Sequence, residues 1–209
     1  MLTLLLAAAA ALPTAVQAEN AFVRDAQRNG QWTAFRKYAQ RDAVMFNPQA
    51  VWAHEFLKGR KDPPKSVEWW PAESYVSCDG RTAVNSGPWR NTARKSNGYF
   101  TTVWQRDKGR WQWVYDGGDE AKSALPVPKT PRVRRAACGR HAKGPPLIVP
   151  PSAKRFGMGP PDDYGRGQSS DRSIGWDWKV DAKGSRHFRA MLWNGRRYEL
   201  VINQNVAGK

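Results

Sequence analysis

Between Asn97 and Gly118 the chain reads NGYFTTVWQRDKGRWQWVYDGG, and this stretch limits what the whole can become. Two runs rich in aromatic and β-branched residues flank Asp107-Lys108-Gly109, whose glycine can take the positive φ of a tight turn, so the pattern predicts a β-hairpin. Alternation puts Tyr99, Thr101 and Val103 on one face and Phe100, Thr102 and Trp104 on the other, with Trp111, Trp113 and Tyr115 together on the return strand. Large apolar groups stand on both faces. A two-stranded ribbon of this kind is not stable in water alone, so other elements have to cover both sides.

The flanking sequence supplies them. From Glu19 to Ala39 the apolar spacing is helical, with Phe22 and Ala26 on one stripe, a break at Gly30, and Trp32, Phe35 and Ala39 on a second. Ala43 to Phe46 reads as a short strand stopped by the turn-forming Asn47-Pro48, and Trp52 to Leu57 as a single helical turn. Tyr75 to Cys78, Thr82 to Asn91 and the hairpin then add strands, with Asp79-Gly80 as a further turn. Helices first and strands after predict an α+β domain over residues 19–121, in which N-terminal helices cover one face of an antiparallel sheet.

Residues 1–18 carry no charged side chain and end in Val16-Gln17-Ala18, a small-x-small pattern, so they read as a secretory signal cleaved after Ala18. The apolar run is too short and alanine-rich to span a membrane, which leaves no anchor after cleavage and a periplasmic or secreted product. It also lacks the basic residue that ordinarily precedes such a run. In an oxidising compartment Cys78 and Cys138 would form a disulfide, closing a loop of about 60 residues and pinning the intervening chain to the first domain.

The formal charge of +16 is uneven: residues 19–121 carry 16 basic and 12 acidic side chains, residues 122–209 carry 18 and 6. A cationic second half in an exported protein suits an envelope polyanion, or serves solubility alone. Residues 122–170 hold nine of the 15 prolines and few apolar runs, and read as a basic linker. Aromatic residues are nearly absent from it, which argues against a specific nucleic-acid groove. From Ile174 onward, alternation and the Asn194-Gly195 turn predict a three-stranded antiparallel meander within residues 171–209, with Phe188, Ala190, Leu192, Tyr198, Leu200 and Ile202 on one apolar face. It looks like a partial repeat of the central strands, and needs the first domain or another subunit to cover it.

The ordered series FRKYAQRDAVMFNP (35–48), WWP (69–71), GPWR (87–90) and GYFTTVWQRDKGRWQWVYDGG (98–118) resembles the SnoaL-like branch of the nuclear transport factor 2-like superfamily, in particular its exported members of unknown function. The resemblance covers about residues 19–120. It implies a cone-shaped half-barrel whose curved sheet and helices enclose a pocket, and makes homodimers unsurprising. The superfamily's ketosteroid isomerases take their base from a Glu-Asp-Pro turn that here reads Phe46-Asn47-Pro48, and an amide cannot abstract a proton. Their two oxyanion donors fall near Phe22 or Val23 and on Thr101, so that mechanism is disfavoured.

By the same resemblance Asn47, Trp52, His54, Tyr75, Trp89 and Trp104, with Asp116, would line the cone, aromatic walls suited to a small apolar or aromatic molecule. Each tryptophan could equally be core. Non-catalytic binding is the first expectation; the alternative is an isomerase, cyclase or hydrolase using His54 with Asp116 or Glu55. Nothing calls for a cofactor or a metal, because His54, His141 and His187 are widely separated and neither cysteine has a partner at ligand spacing.

Overall fold

The computed structural model describes residues 12–139 and 144–208. It is an α+β protein in which one curved, mixed sheet lies between a layer of helices and a second sheet. The elements are α1 (Ala15–Asn29), α2 (Gln31–Tyr38), β1 (Ala39–Asn47), β2 (Gln49–Trp52), α3 (Ala53–Leu57), β3 (Glu68–Trp69), β4 (Glu73–Val76), β5 (Thr82–Asn91), β6 (Ser96–Asp107), β7 (Arg110–Glu120) and β8 (Arg132–Arg135), followed by β9 (Tyr164–Gln168), β10 (Ile174–Val180), β11 (Arg186–Trp193) and β12 (Tyr198–Val206).

The large sheet runs β2-β1-β7-β6-β5-β4-β8, with β3 also paired to β5. The expected hairpin is its centre: β6 and β7 meet through Asp107↔Arg110, with Lys108 and Gly109 both at positive φ. The sheet is not purely antiparallel, since β1 joins β7 and β8 joins β4 in parallel. Both pairings bring back chain that has crossed the sheet through a long connection, which short turn signals cannot reveal.

Each face of the hairpin is covered, by different material. On one side Phe22 of α1 sits at the middle of an aromatic cluster with Phe35, Tyr38, Trp69 and Trp104, ring centres 4.8 to 5.9 Å away. On the other, Val84, Val103 and Tyr115 pack against Trp178, Phe188 and Ile202 of the small sheet. Gln204 ties the layers by accepting from Thr101 Oγ1 at 2.9 Å.

Three parts of the C-terminal half differ from the sequence pattern. The small sheet has four strands, β12-β11-β10-β9, because Tyr164–Gln168 adds an edge strand from within the presumed linker. A bulge in β12 sets Ala190 opposite Ile202 but Met191 opposite Leu200. That extra residue moves Leu200 off the apolar face, where it is exposed, and lets Tyr198 stack on Trp193 instead. The Asn194-Gly195 turn spans four residues, its Asn194 side chain accepting from the Arg196 and Arg197 amides.

The described parts of residues 122–170 are laid along the body rather than strung free of it. Cys78–Cys138 forms a disulfide with Cα atoms 5.2 Å apart, fixing β8 beside β4. Phe156 packs edge-on to Trp52, whose Nε1 donates to Gly159 O at 2.7 Å. In the basic tract Arg132 pairs with Glu73, and Arg134 with Glu199 at 2.6 Å.

Helix α1 begins at Ala15, so the cut expected after Ala18 falls inside it. Thr14 caps the helix in a reciprocal box with Gln17, Pro13 O accepts from Trp111 Nε1 at 2.7 Å, and Ala15 O accepts from Asn85 Nδ2 at 3.1 Å. Ala15 and Ala18 are buried. A chain starting at Glu19 is therefore expected to unfold about 2 kcal/mol more easily than one starting at Leu12, one cap and the carbonyl acceptors of the Trp111 and Asn85 side chains having been removed. Urea midpoints of the two purified chains check this, and equal midpoints would mean that Pro13 to Ala18 contribute nothing.

Candidate functional site

The feature that shapes the site is a bulge in β7. Trp104 of β6 is opposite Trp113, but Val103 is opposite Tyr115, so Val114 is an extra residue. Up to Trp113 the tryptophans face the helices, as regular alternation requires; after the bulge the order inverts. Tyr115 turns to the small sheet, where its ring lies 4.5 Å from Phe188, and Asp116 turns to the helix side, opposite Thr102. The expected grouping of Tyr115 with Trp111 and Trp113 is thus overturned, and a carboxyl takes the place of an aromatic ring.

Asp116 opens onto a cavity of about 360 Å³ between α2 and the open end of the large sheet. Helix α2 contributes Gln31, Trp32 and Phe35, β3 contributes Trp69, and β5 and β6 contribute Trp89, Tyr99 and Phe100. The wall made by Trp89 depends on a missing side chain: its indole lies over Gly98, where a Cβ would come within 2.7 Å of the ring. Trp89 Nε1 donates to Tyr99 O at 3.0 Å, which fixes the ring along the strand. Helix α2 is held from afar by Asp62, which accepts from Trp32 N at 2.5 Å and from the Thr33 hydroxyl at 2.6 Å.

Two carboxyls and one guanidinium set the electrostatics. Burial pushes Asp116 up to about 7, against the Thr102 hydroxyl that donates to it at 2.8 Å; the Glu19 charge adds to the rise and Arg186 opposes it. Glu19, fully buried in α1, is also raised by burial, although its carboxylate accepts from Trp69 Nε1 at 2.8 Å, Trp104 Nε1 at 2.6 Å and Asn85 Nδ2 at 3.1 Å. Arg186 reaches the cavity from β11, so the small sheet contributes to the site. Chemically, the arrangement offers an aromatic-walled slot with a polar, charged margin and an inner carboxyl able to gain or lose a proton near neutrality.

Of the residues expected to line the site, the cavity gathers Trp89 and Asp116. Trp104 lies just behind, wholly buried against Glu19. Asn47 is exposed at the end of β1, and Trp52 and Tyr75 are buried in the layer facing the small sheet. His54 is on α3 beside Phe156, ring centres 6.4 Å apart, off the cavity wall; Glu55 is exposed. Asn47, Trp52, Tyr75 and His54 lie away from this cavity because the end of β1, β2, β4 and α3 border other parts of the fold. His187 contacts Asn203, and His141 lies outside the described residues. Among the described residues no group of three or more His, Cys, Asp or Glu side chains could hold a metal ion, and no helix is long and apolar enough to cross a membrane.

Sequence reasoning missed Glu19 and Arg186. A charge at 19 sits one helical turn from Phe22, on the buried stripe of α1, and that spacing was the available signal. Nothing local in sequence marks Arg186. Neither a scan against protein-family models nor a search of curated proteins finds a match to the chain.

The raised carboxyl makes stability depend on pH in a defined direction. Folded Asp116 keeps its proton up to about pH 7 and the unfolded residue only to about 4, so the native state binds more protons between those values and loses stability as pH rises through them. Asp116→Asn is expected to be neutral near pH 4 and stabilising by about 2 kcal/mol at pH 8, after discounting for partial exposure. Urea unfolding of both proteins at the two pH values measures it; a difference that ignores pH would refute the assignment.

Proposed function

We propose that this is an exported small-molecule-binding protein, related to the SnoaL-like branch of the nuclear transport factor 2-like superfamily. The observation that carries the reading is the aromatic cavity over the open end of the curved sheet, with Asp116 on its wall. Helices over one face of such a sheet, in the order seen here, support the family assignment, and the Cys78–Cys138 disulfide supports an oxidising, periplasmic or extracellular setting. A cavity of this size, with aromatic walls and a polar, charged margin that includes Arg94, Asp119 and Glu120, suits one small compound with an aromatic or apolar body.

The binding reading is tested by native mass spectrometry of protein purified from its periplasm, before and after collisional release. A retained small molecule is expected, and it should be lost in Ser96→Trp, which fills the cavity from the start of β6. Protein that is empty in both forms and takes up no apolar probe would end the proposal.

A second reading follows from Asp116, whose carboxyl is poised to transfer a proton near pH 7. If the protein turns over its ligand, Asp116 serves as the acid or base in place of His54. Asp116→Asn should then lower kcat by about a hundredfold or more, with His54→Gln close to wild type. Steady-state kinetics on the released compound would decide, and the reverse ranking would reinstate His54.

A further inference from the structure

Among the described residues, the more buried of the pocket's two arginines has no ion-pair partner within 4 Å. Arg186 is 8 % exposed, yet among the described residues no carboxylate lies within 4 Å of its guanidinium. Its Nη2 donates to Gly118 O at 2.5 Å, and its Cζ lies 4.2 Å from the centre of the Phe46 ring. Each of these is a neutral group. A guanidinium removed from water and satisfied only by neutral acceptors retains most of its electrostatic demand, which an anion would meet.

The remaining charges at the cavity do not cancel that demand. Arg94 and Glu120 are exposed at the rim, where water and salt screen them, and the half-buried Asp119, which accepts from the Glu120 amide, makes no ion pair with Arg186 within 4 Å. The inner acid is Asp116, which faces Thr102 from β6, Glu19 from α1 and Arg186 from β11. In its protonated form it is a hydrogen-bond donor rather than a competing anion. The formal charge of +16 also draws small anions toward the protein.

We propose that the cavity takes a small organic acid with an aromatic or apolar body, its carboxylate held by Arg186 and its body against Trp32, Phe35, Trp69 and Trp89. This rests on the binding reading above and deepens it to a substrate class. It also fixes the sign of the pH dependence. Ionised Asp116 repels the bound carboxylate, so affinity falls as pH rises past 7, whereas a cationic ligand would bind more tightly over the same range.

Three probes of one shape separate the possibilities: phenylacetate, phenylacetamide and 2-phenylethylamine, titrated by calorimetry into the oxidised full chain at pH 6 and pH 8. Phenylacetate is expected to bind about tenfold more tightly than the amide at pH 6, and about fivefold more weakly at pH 8 than at pH 6. Asp116→Asn should abolish the pH effect while keeping the preference for the acid, and Arg186→Gln should abolish the preference. If Arg186→Gln does not fold, the wild-type and Asp116→Asn profiles carry the test. Equal binding of acid and amide, or a preference for the amine, would overturn the organic-acid assignment and leave the binding pocket standing. Failure of all three to bind would overturn both.

Discussion

A sheet that is apolar on both faces has to be covered twice, and most of this architecture follows from that. The β6–β7 hairpin presents Trp104, Trp111 and Trp113 to one side and Val103 and Tyr115 to the other. Helices α1 and α2 cover the first face and the C-terminal sheet covers the second. The two coverings come from opposite ends of the chain, so the long basic segment between them has to travel around the large sheet. The disulfide and β8 determine its course at the start of that journey.

The helix side is not a uniform apolar layer. Glu19 is buried there with three N–H donors converging on it from β3, β5 and β6, so a single carboxylate links α1 to three strands. An acid in this position is tolerated because its acceptor sites are largely filled, yet desolvation still holds its affinity for a proton high. Glu19 in turn raises Asp116, making the inner wall of the cavity reluctant to carry two negative charges. Packing of the core and chemistry of the site are therefore coupled through one residue.

The hairpin, the Gly30 break between helices, the Asn47-Pro48 turn and the Cys78–Cys138 pairing could all be read from local pattern, because each depends on residues close in sequence or on one pair of cysteines. The fold class followed from the order of those signals. The site was less legible. Trp111, Trp113 and Tyr115 alternate without interruption, so nothing in the letters shows that Val114 bulges and reverses the last of them. Arg186 joins the cavity through the packing of two sheets, a contact spanning 68 residues to Gly118 that no periodicity encodes. His54 stood out by its chemistry but lies on α3, off the wall of this cavity. Asp116 was identifiable by type, whereas its place on the cavity wall and its raised proton affinity came from direction and depth.

Strand β8 has a consequence beyond fixing the chain's path. Without it β4, Glu73-Ser-Tyr-Val, would end the large sheet with a row of open backbone donors and acceptors beside an aromatic and a β-branched side chain. With it, the sheet ends in four residues, Arg132-Val-Arg-Arg, three of them cationic. A short arginine-rich border is a poor template for a further strand, since a second copy would bring like charges into register. The disulfide beside this border therefore also makes this one edge of the large sheet a poorer site for pairing with another chain.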